Sequence, residues 1–277
     1  MELWDIIFDN HMHLREDGYN IEAARQFEHS GGTAFNLVNL PNHELPAADY
    51  YENVYRKTLK LAEMVRRETG VKVAVTLGPY PLDYLHFSSH VGNIKEFILS
   101  GIDRAVDLIL KGEADALGEI GRPHFVTDEK TVEDANDILE YAMEKCSDQD
   151  IPIILHTEDL TGDSYKELGE MARKAGFDTG KLIKHHAHPK DFSIDSILLK
   201  SVLATRKNVR ESLIMSRGFF LETDYVDDRS KPGKVIPADS VPKRALMIKN
   251  QYDDWEDIFE SIFRDIPVSV FGEDTLF

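Results

Sequence analysis

Histidines and carboxylates, which are common metal ligands, stand at the ends of several short apolar runs of this sequence. The first run is followed by Asp9-Asn10-His11-Met12-His13. Because successive side chains of a strand point to opposite faces, His11 and His13 point the same way, about 6–7 Å apart along the backbone. Two such imidazoles can close on one ion. The pair alone is weak evidence, since the chain has 11 histidines.

Four further runs end in side chains of the same chemical kind. Glu119 follows the fourth run among glycine and apolar neighbours, where an unpaired carboxylate would lose its hydration and needs a cation partner. Five run ends with such residues are hard to explain by packing. The sequence therefore predicts that one or two divalent ions (Zn, Mn or Mg) bind nitrogen and carboxylate ligands. The candidate ligands are His11, His13, Glu119, His156, His185 and Asp224.

Eight apolar runs of strand length alternate with segments of helical periodicity. The runs are residues 3–8, 33–39, 71–77, 114–120, 151–155, 181–184, 196–204 and 218–222. One of the helical segments is predicted to begin with Thr131 as its N-cap. The alternation predicts an α/β fold, a (β/α)8 TIM barrel that forms a single domain over residues 1–277. We expect irregularity around strands six and seven, because the connection 189–195 is too short for a full helix. The C-terminal strand ends of such a barrel meet on one face, which would bring the candidate ligands together.

The composition narrows the classes of partner. The chain has 277 residues, with 50 acidic against 32 basic side chains and a net charge of −18. This excess argues against a broadly basic nucleic-acid surface and against stable binding of duplex nucleic acid, but it leaves room for a small or short anionic substrate held by metal ions. No apolar stretch approaches the ~20 residues of a membrane helix. The single cysteine, Cys146, excludes an intramolecular disulfide and fits a cytoplasmic protein.

The strand-end motifs resemble those of the TatD-related metal-dependent hydrolases of the amidohydrolase superfamily. The resemblance rests on the His11-Met12-His13 motif, on Gly118-Glu119-Ile120-Gly121, on the histidine after the fifth run and on Glu222-Thr223-Asp224, in that order along the chain. The residues after Gly121 and after Asp224 depart from the usual pattern, so we expect a divergent branch.

The resemblance implies a role for each ligand. His11, His13 and Asp224 would hold one ion, His156 and His185 the other, and Glu119 would bridge them. His186 stays open as an alternative to His185, which we favour. Glu119 and Asp224 would be catalytic, with Asp224 taking a proton from the attacking water and passing it to the leaving group.

Residues near the candidate ligands are predicted to serve the site. Arg122 and His124 follow the bridging glutamate closely and are candidates for substrate binding, although Arg122 is equally well explained as part of a structural ion pair. Asp9 is expected to orient His11 or His13. The loops 39–43 and 78–81 would form one wall.

Three functions are compatible with these residues. The first is a TatD-like hydrolase that cleaves phosphoesters, including a deoxyribonuclease-like action on nucleic-acid 3′ ends. The alternative is a small-molecule amidohydrolase acting on a C–N or lactone bond, since two cations also polarise carbonyl groups. The third is a binding protein that keeps the metal without catalysis.

Overall fold

Parallel β-strands form the centre of the fold. The computed structural model describes residues 6–232 and 234–277, and within them it contains nine strands. They are β1 (Phe8–His13), β2 (Ala34–Val38), β3 (Lys72–Leu77), β4 (Ala116–Gly121), β5 (Ile153–His156), β6 (Leu182–Ala187), β7 (Leu199–Leu203), β8 (Phe220–Glu222) and β9 (Tyr225–Val226).

The strands pair in the order in which they occur along the chain, and the ring of pairings closes. β9 follows β8 after only Thr223 and Asp224, and it pairs in parallel with β1, with Met12 opposite Tyr225. The amide of Asp224 also donates to the carbonyl oxygen of His11 at 2.9 Å. The predicted (β/α)8 barrel is therefore confirmed.

The strand bounds differ from the predicted runs mainly at the first strand. The predicted run 3–8 meets β1 only at its last residue, Phe8, and residues 1–5 lie outside the described part of the chain. β1 begins at Phe8 and contains both His11 and His13. The histidines thus belong to the strand itself, because the barrel wall continues to the level of the site.

Helices surround the barrel on the outside. They are α1 (Ile21–His29), α2 (Tyr50–Glu68), α3 (Pro81–Phe87), α4 (Ile94–Leu110), α5 (Glu129–Ser147), α6 (Gly162–Lys174), α7 (Arg206–Met215), α8 (Ser240–Gln251), α9 (Trp255–Phe259), α10 (Ile266–Phe271) and α11 (Glu273–Leu276). A π-helix, Glu260–Asp265, joins α9 to α10, and the connection from β6 to β7 contains the 3-10 helix Pro189–Ser193. The predicted N-cap Thr131 is wrong: Asp128 caps α5, because its carboxylate accepts the Thr131 amide at 3.0 Å.

The N-terminal end of the barrel is filled by apolar side chains and covered by the last helices. Val270 and Phe271 of α10 and Leu276 of α11 pack against it. The Phe271 ring centroid lies 5.4 Å from that of Phe8 and 6.3 Å from that of Phe220. Access to the barrel interior is therefore from the C-terminal end of the strands. The filling layer consists of Phe8, Ala34, Ala74, Ala116, Ile154, Ile183 and Phe220.

The helices give no sign of a membrane span. Among the described residues, none of them is both long enough and apolar enough to cross a bilayer.

We predict that Phe220→Ala lowers the free energy of unfolding by about 3–5 kcal/mol, because the ring is fully buried in the filling layer and its removal leaves a cavity. Urea unfolding followed by circular dichroism measures this change. Phe125→Ala is the matched control, since Phe125 is 48% exposed and should change the free energy by less than about 0.5 kcal/mol. Equal effects of the two variants would contradict the assignment of this layer to the core.

Candidate metal centre

His11 and His13 meet at the C-terminal end of β1, and both side chains are buried. Their Nε2 atoms lie 3.1 Å apart. Nδ1 of His13 lies 2.9 Å from the carbonyl oxygen of Val38, which can only accept, so Nδ1 carries the proton. Nε2 of His13 is therefore the nitrogen that can present a lone pair to a metal ion.

The two carboxylate oxygens of Glu119 face two different groups of side chains. Oε2 lies 3.7 Å from Nε2 of His11 and 3.7 Å from Nε2 of His13. Oε1 lies 2.8 Å from Nδ1 of His156 and 3.4 Å from Nε2 of His185. Burial alone would raise the pKa of Glu119, but the His11 and His156 rings lower it well below its usual range. Glu119 is therefore an ionised carboxylate between two sets of imidazoles.

Asp224 joins the group formed by His11, His13 and Oε2 of Glu119. It comes from the connection between β8 and β9, which lies beside β1. Its Oδ1 lies 3.5 Å from Nε2 of His13. The residue has φ +47°, a left-handed conformation in the two-residue joint between β8 and β9. That joint is bonded to β1 through the carbonyl oxygen of His11, so closure of the barrel fixes the carboxylate beside the histidines.

The shortest distances between these donor atoms, 3.1 Å between the two Nε2 atoms of β1 and 3.5 Å from His13 to Asp224, are close to those between ligands of one divalent ion. Ligands about 2.0–2.1 Å from an ion, at tetrahedral or octahedral angles, lie roughly 3–3.5 Å from each other. His11, His13 and Asp224 present donor atoms that all lie within 4.8 Å of one another, and Glu119, His156 and His185 form a second such group. Nitrogen and carboxylate donors suit Zn or Mn, so the residues present fit one or two divalent ions.

The two histidines of the sixth strand are placed differently. The side chain of His185 is 3% exposed and turns Nε2 towards Glu119. His186 is exposed and has φ +54°. A donor atom of His186 still comes within 4.8 Å of donor atoms of His185 and Asp224. The geometry therefore favours His185 as the ligand and leaves His186 at the rim.

The family follows from comparison with known proteins. The sequence profile of the TatD related DNases matches residues 8–272. The chain belongs to this family. A protein of Methanocaldococcus jannaschii, described as uncharacterized, is 30% identical over 256 residues, which cover 90% of each chain.

Solved structures of other proteins share the fold. A TatD homologue of Escherichia coli superposes with a TM-score of 0.66 at 14% identity, over 97% of this chain and 98% of that chain. The phosphotriesterase homology protein of Escherichia coli, solved with phosphate in its active site, gives a TM-score of 0.64 at 16% identity, over 96% and 99% of the two chains. At such identities the likeness establishes the barrel and nothing finer.

Arg122 of this TatD-family chain lies in a network of ion pairs, which is the second of the two explanations given for it above. Its side chain is 7% exposed, and Nε donates to Asn136 at 2.7 Å. Its two other nitrogens pair with Glu158 at 3.4 Å and with Glu167 at 3.0 Å. Nε and Nη1 are therefore hydrogen-bonded to neighbouring segments, whereas the buried Nη2 pairs with Glu167 by charge but makes no hydrogen bond among the described residues. His124 does reach the cluster, with Nδ1 3.0 Å from Nε2 of His156.

Asp9 does not orient an imidazole as expected. Its Oδ1 accepts the backbone amides of His11 at 3.1 Å and of Thr223 at 2.9 Å. Burial raises the pKa of Asp9 to about 7. The carboxyl group thus ties β1 to the end of β8 and holds the backbone from which the ligands project.

The contact of Glu222 with His185 was not predicted from the sequence. It is fully buried, with Oε2 3.1 Å from Nδ1 of His185 and Oε1 accepting the amide of His186 at 2.8 Å. Burial alone would raise its pKa, but the charge of His185 and the hydrogen bond from it lower the pKa. Glu222 directly follows the apolar run Phe219-Phe220-Leu221. An acid in such surroundings needs a partner, and this was the feature of the sequence that could have indicated the contact.

We predict that Glu222→Gln lowers the affinity of the protein for divalent ions about 10- to 100-fold, because the carboxylate fixes the tautomer and orientation of His185. Titration with Zn in the presence of a competing chelator measures the affinity. The matched control is Glu211→Gln on α7, whose side chain is 49% exposed and pairs only loosely with Lys207. Unchanged ion affinity in Glu222→Gln would exclude this role.

Proposed function

We propose that the chain is a divalent-metal-dependent hydrolase that cleaves phosphoester bonds. The observation that carries the proposal is the placement of Glu119, whose two oxygens each face two histidine nitrogens. An ionised, buried carboxylate in that position calls for positive charge on both sides. The TatD family supplies the matching precedent for hydrolysis.

Each side chain has a place in this chemistry. His11, His13 and Asp224 would hold one ion, His156 and His185 would hold the other, and Glu119 would lie between them. When bound, such ions activate a water molecule near neutral pH and polarise the bond under attack.

Asp224 is the carboxylate best placed to move a proton. Its side chain is 15% exposed, whereas those of Glu119 and Glu222 are 5% and 0% exposed. It can therefore meet a water molecule at the open end of the barrel, accept its proton and later donate it to the leaving group.

The substrate class rests on charge. The family contains DNases, and a structural relative binds phosphate in its active site. The chain's −18 charge opposes long nucleic acids, so a short or small anionic phosphoester is the proposed substrate, with single-stranded 3′ ends included. One observation favours the alternative, an amide or lactone substrate: Arg122, the predicted anion contact, is already paired with Glu158 and Glu167.

We predict that the purified protein contains about one or two divalent ions per chain, and that Glu119→Gln and Asp224→Asn reduce kcat at least about 100-fold while the fold is kept. Elemental analysis and a screen with Mn, Mg or Zn against single-stranded DNA, phosphomonoesters, dipeptides and lactones measure this. Asp253→Asn, an exposed acid between α8 and α9, is the control and should match the wild type.

Three outcomes would count against the proposal. Fewer than about half an ion per chain, with no activity rescued by any of the three metals, would exclude the two-ion site. Hydrolysis of lactones or dipeptides alone would favour the alternative substrate class. A near-wild-type rate for Asp224→Asn would remove Asp224 from proton transfer.

A further inference from the structure

Tyr80 places a hydroxyl group at the edge of the metal cluster. It lies in the loop after β3, and its oxygen is 3.5 Å from Nε2 of His156. The two rings meet edge to face, with centroids 4.9 Å apart. His156 turns its other nitrogen, Nδ1, towards Glu119. Tyr80 therefore stands on the outer side of the cluster, where the loops that follow the strands form the mouth of the barrel.

The hydroxyl of Tyr80 is free to donate elsewhere. A separation of 3.5 Å is at the limit of a hydrogen bond, and the same Nε2 atom of His156 has a closer partner in Nδ1 of His124 at 3.0 Å. A phenol keeps its proton at neutral pH, since its ordinary pKa is about 10. The site therefore has a neutral O–H donor beside His156 that makes only this long contact among the described residues.

The backbone of Tyr80 is held in one conformation. Pro79 and Pro81 flank it, and its φ of −69° and ψ of 139° are in the region favoured for a residue before proline. Its amide donates to Oδ2 of Asp83 at 3.1 Å. The side chain thus projects from a rigid turn at the start of α3.

Asp83 is itself fixed by two other elements. Its carboxylate is 2% exposed, and Oδ1 accepts from Nε2 of His43 at 2.7 Å and from the hydroxyl of Tyr50 at 3.1 Å. His43 stacks on His86 of α3, with ring centroids 4.2 Å apart and planes 6° from parallel. Three donors from different segments therefore converge on one buried carboxylate, which sets the position of Tyr80 before any substrate arrives.

We propose that Tyr80 is a catalytic residue that donates its hydroxyl hydrogen to an oxygen of the group under attack, and that Asp83 positions it. The proposal rests on the hydrolase function proposed above and deepens it. The acceptor is an oxygen that gains negative charge during the reaction, and a phosphoryl oxygen is the case we test. Because the charge of Arg122 is paired with Glu158 and Glu167, Tyr80 is proposed as a neutral donor to the developing charge at this site.

We predict that Tyr80→Phe lowers kcat/KM for a phosphoester about 10- to 100-fold, the usual loss for one hydrogen bond to a charged group. Ion content and the urea midpoint should stay at the wild-type values, because the ring remains. Tyr84→Phe is the matched control, since the hydroxyl of Tyr84, in α3, bonds to Asp134 of α5 and its loss should leave kcat/KM unchanged. Wild-type kcat/KM in Tyr80→Phe would overturn the catalytic role.

The positioning role of Asp83 is tested by a double-mutant cycle. Asp83→Asn should lower kcat in the wild-type background and have no further effect in the Tyr80→Phe background, because its influence passes through Tyr80. His43→Phe is a milder second variant that keeps a ring against His86 and removes one donor from Asp83. Equal losses in both backgrounds, for whichever variant folds, would overturn the positioning role.

Failure of the proposed function can be separated from failure of this inference. If the metal-loaded wild-type protein hydrolyses no substrate, the function falls, and Tyr80 is then tested by calorimetric binding of inorganic phosphate to metal-loaded protein. Binding that is about 10-fold weaker in Tyr80→Phe than in the wild type supports the contact. Equal binding by the two proteins, or no phosphate binding by the wild type, overturns it.

Discussion

The structure depends on how the barrel keeps charged groups inside its open end. Glu119 and Glu222 are both buried beside histidines of the cluster. Ionised carboxylates removed from water are costly unless cations lie beside them. Burial alone would lower the pKa of His11, but the carboxylate of Glu119 outweighs burial and raises it to about 9. The carboxylates thus hold positive charge in the cluster, either as protons on imidazoles or as bound ions in their place.

Local departures from regular strand pairing deliver these groups. The register of β1 shifts between Asp9 and Met12, that of β4 between Gly118 and Ile120, and that of β6 between Lys184 and Ala187. Each irregularity includes a candidate ligand. Bulges re-aim side chains and are common beside active sites. The barrel therefore turns His11 and Glu119 inward by breaking the same periodicity that builds its wall, because each lies three residues after a side chain of the filling layer.

Glycine allows a close approach of two strands directly after one of these irregularities. A Cβ atom on Gly121, which has φ +151°, would lie 2.1 Å from the carbonyl oxygen of His156. β4 and β5 can approach each other closely at this level only because that atom is missing. The approach brings Nδ1 of His156 to 2.8 Å from Glu119. The motif that singled out the glutamate therefore also contains the residue that allows its contact.

The sequence predicted the barrel and the six side chains that meet, because apolar runs and their polar ends are local patterns. It could not settle contacts that depend on register or on distant segments. Alternation puts Ile183 and His185 on one face of β6 and Lys184 on the other, but it does not reveal that Lys184 is buried as well, where its amine donates to the carbonyl oxygen of His185. Arg122 is paired by Asn136, Glu158 and Glu167, which follow in later elements. No local pattern around Arg122 distinguishes those partners from a substrate.

The surplus of acidic groups is compatible with an anionic substrate if the acids of the cluster are considered separately from those elsewhere in the chain. The net charge of −18 is summed over the whole chain. The carboxylates of the cluster contribute little to the local charge, because the imidazoles and any bound ions offset them. Around the proposed site, the contacts offered at the rim are the neutral hydroxyl of Tyr80 and the imidazole of His124. A long polyanion would meet the acidic surface over most of its length and gain only at the centre. A short phosphoester would fit within the region around the bound ions and would not reach the acidic surface. Small size is therefore part of the proposed specificity.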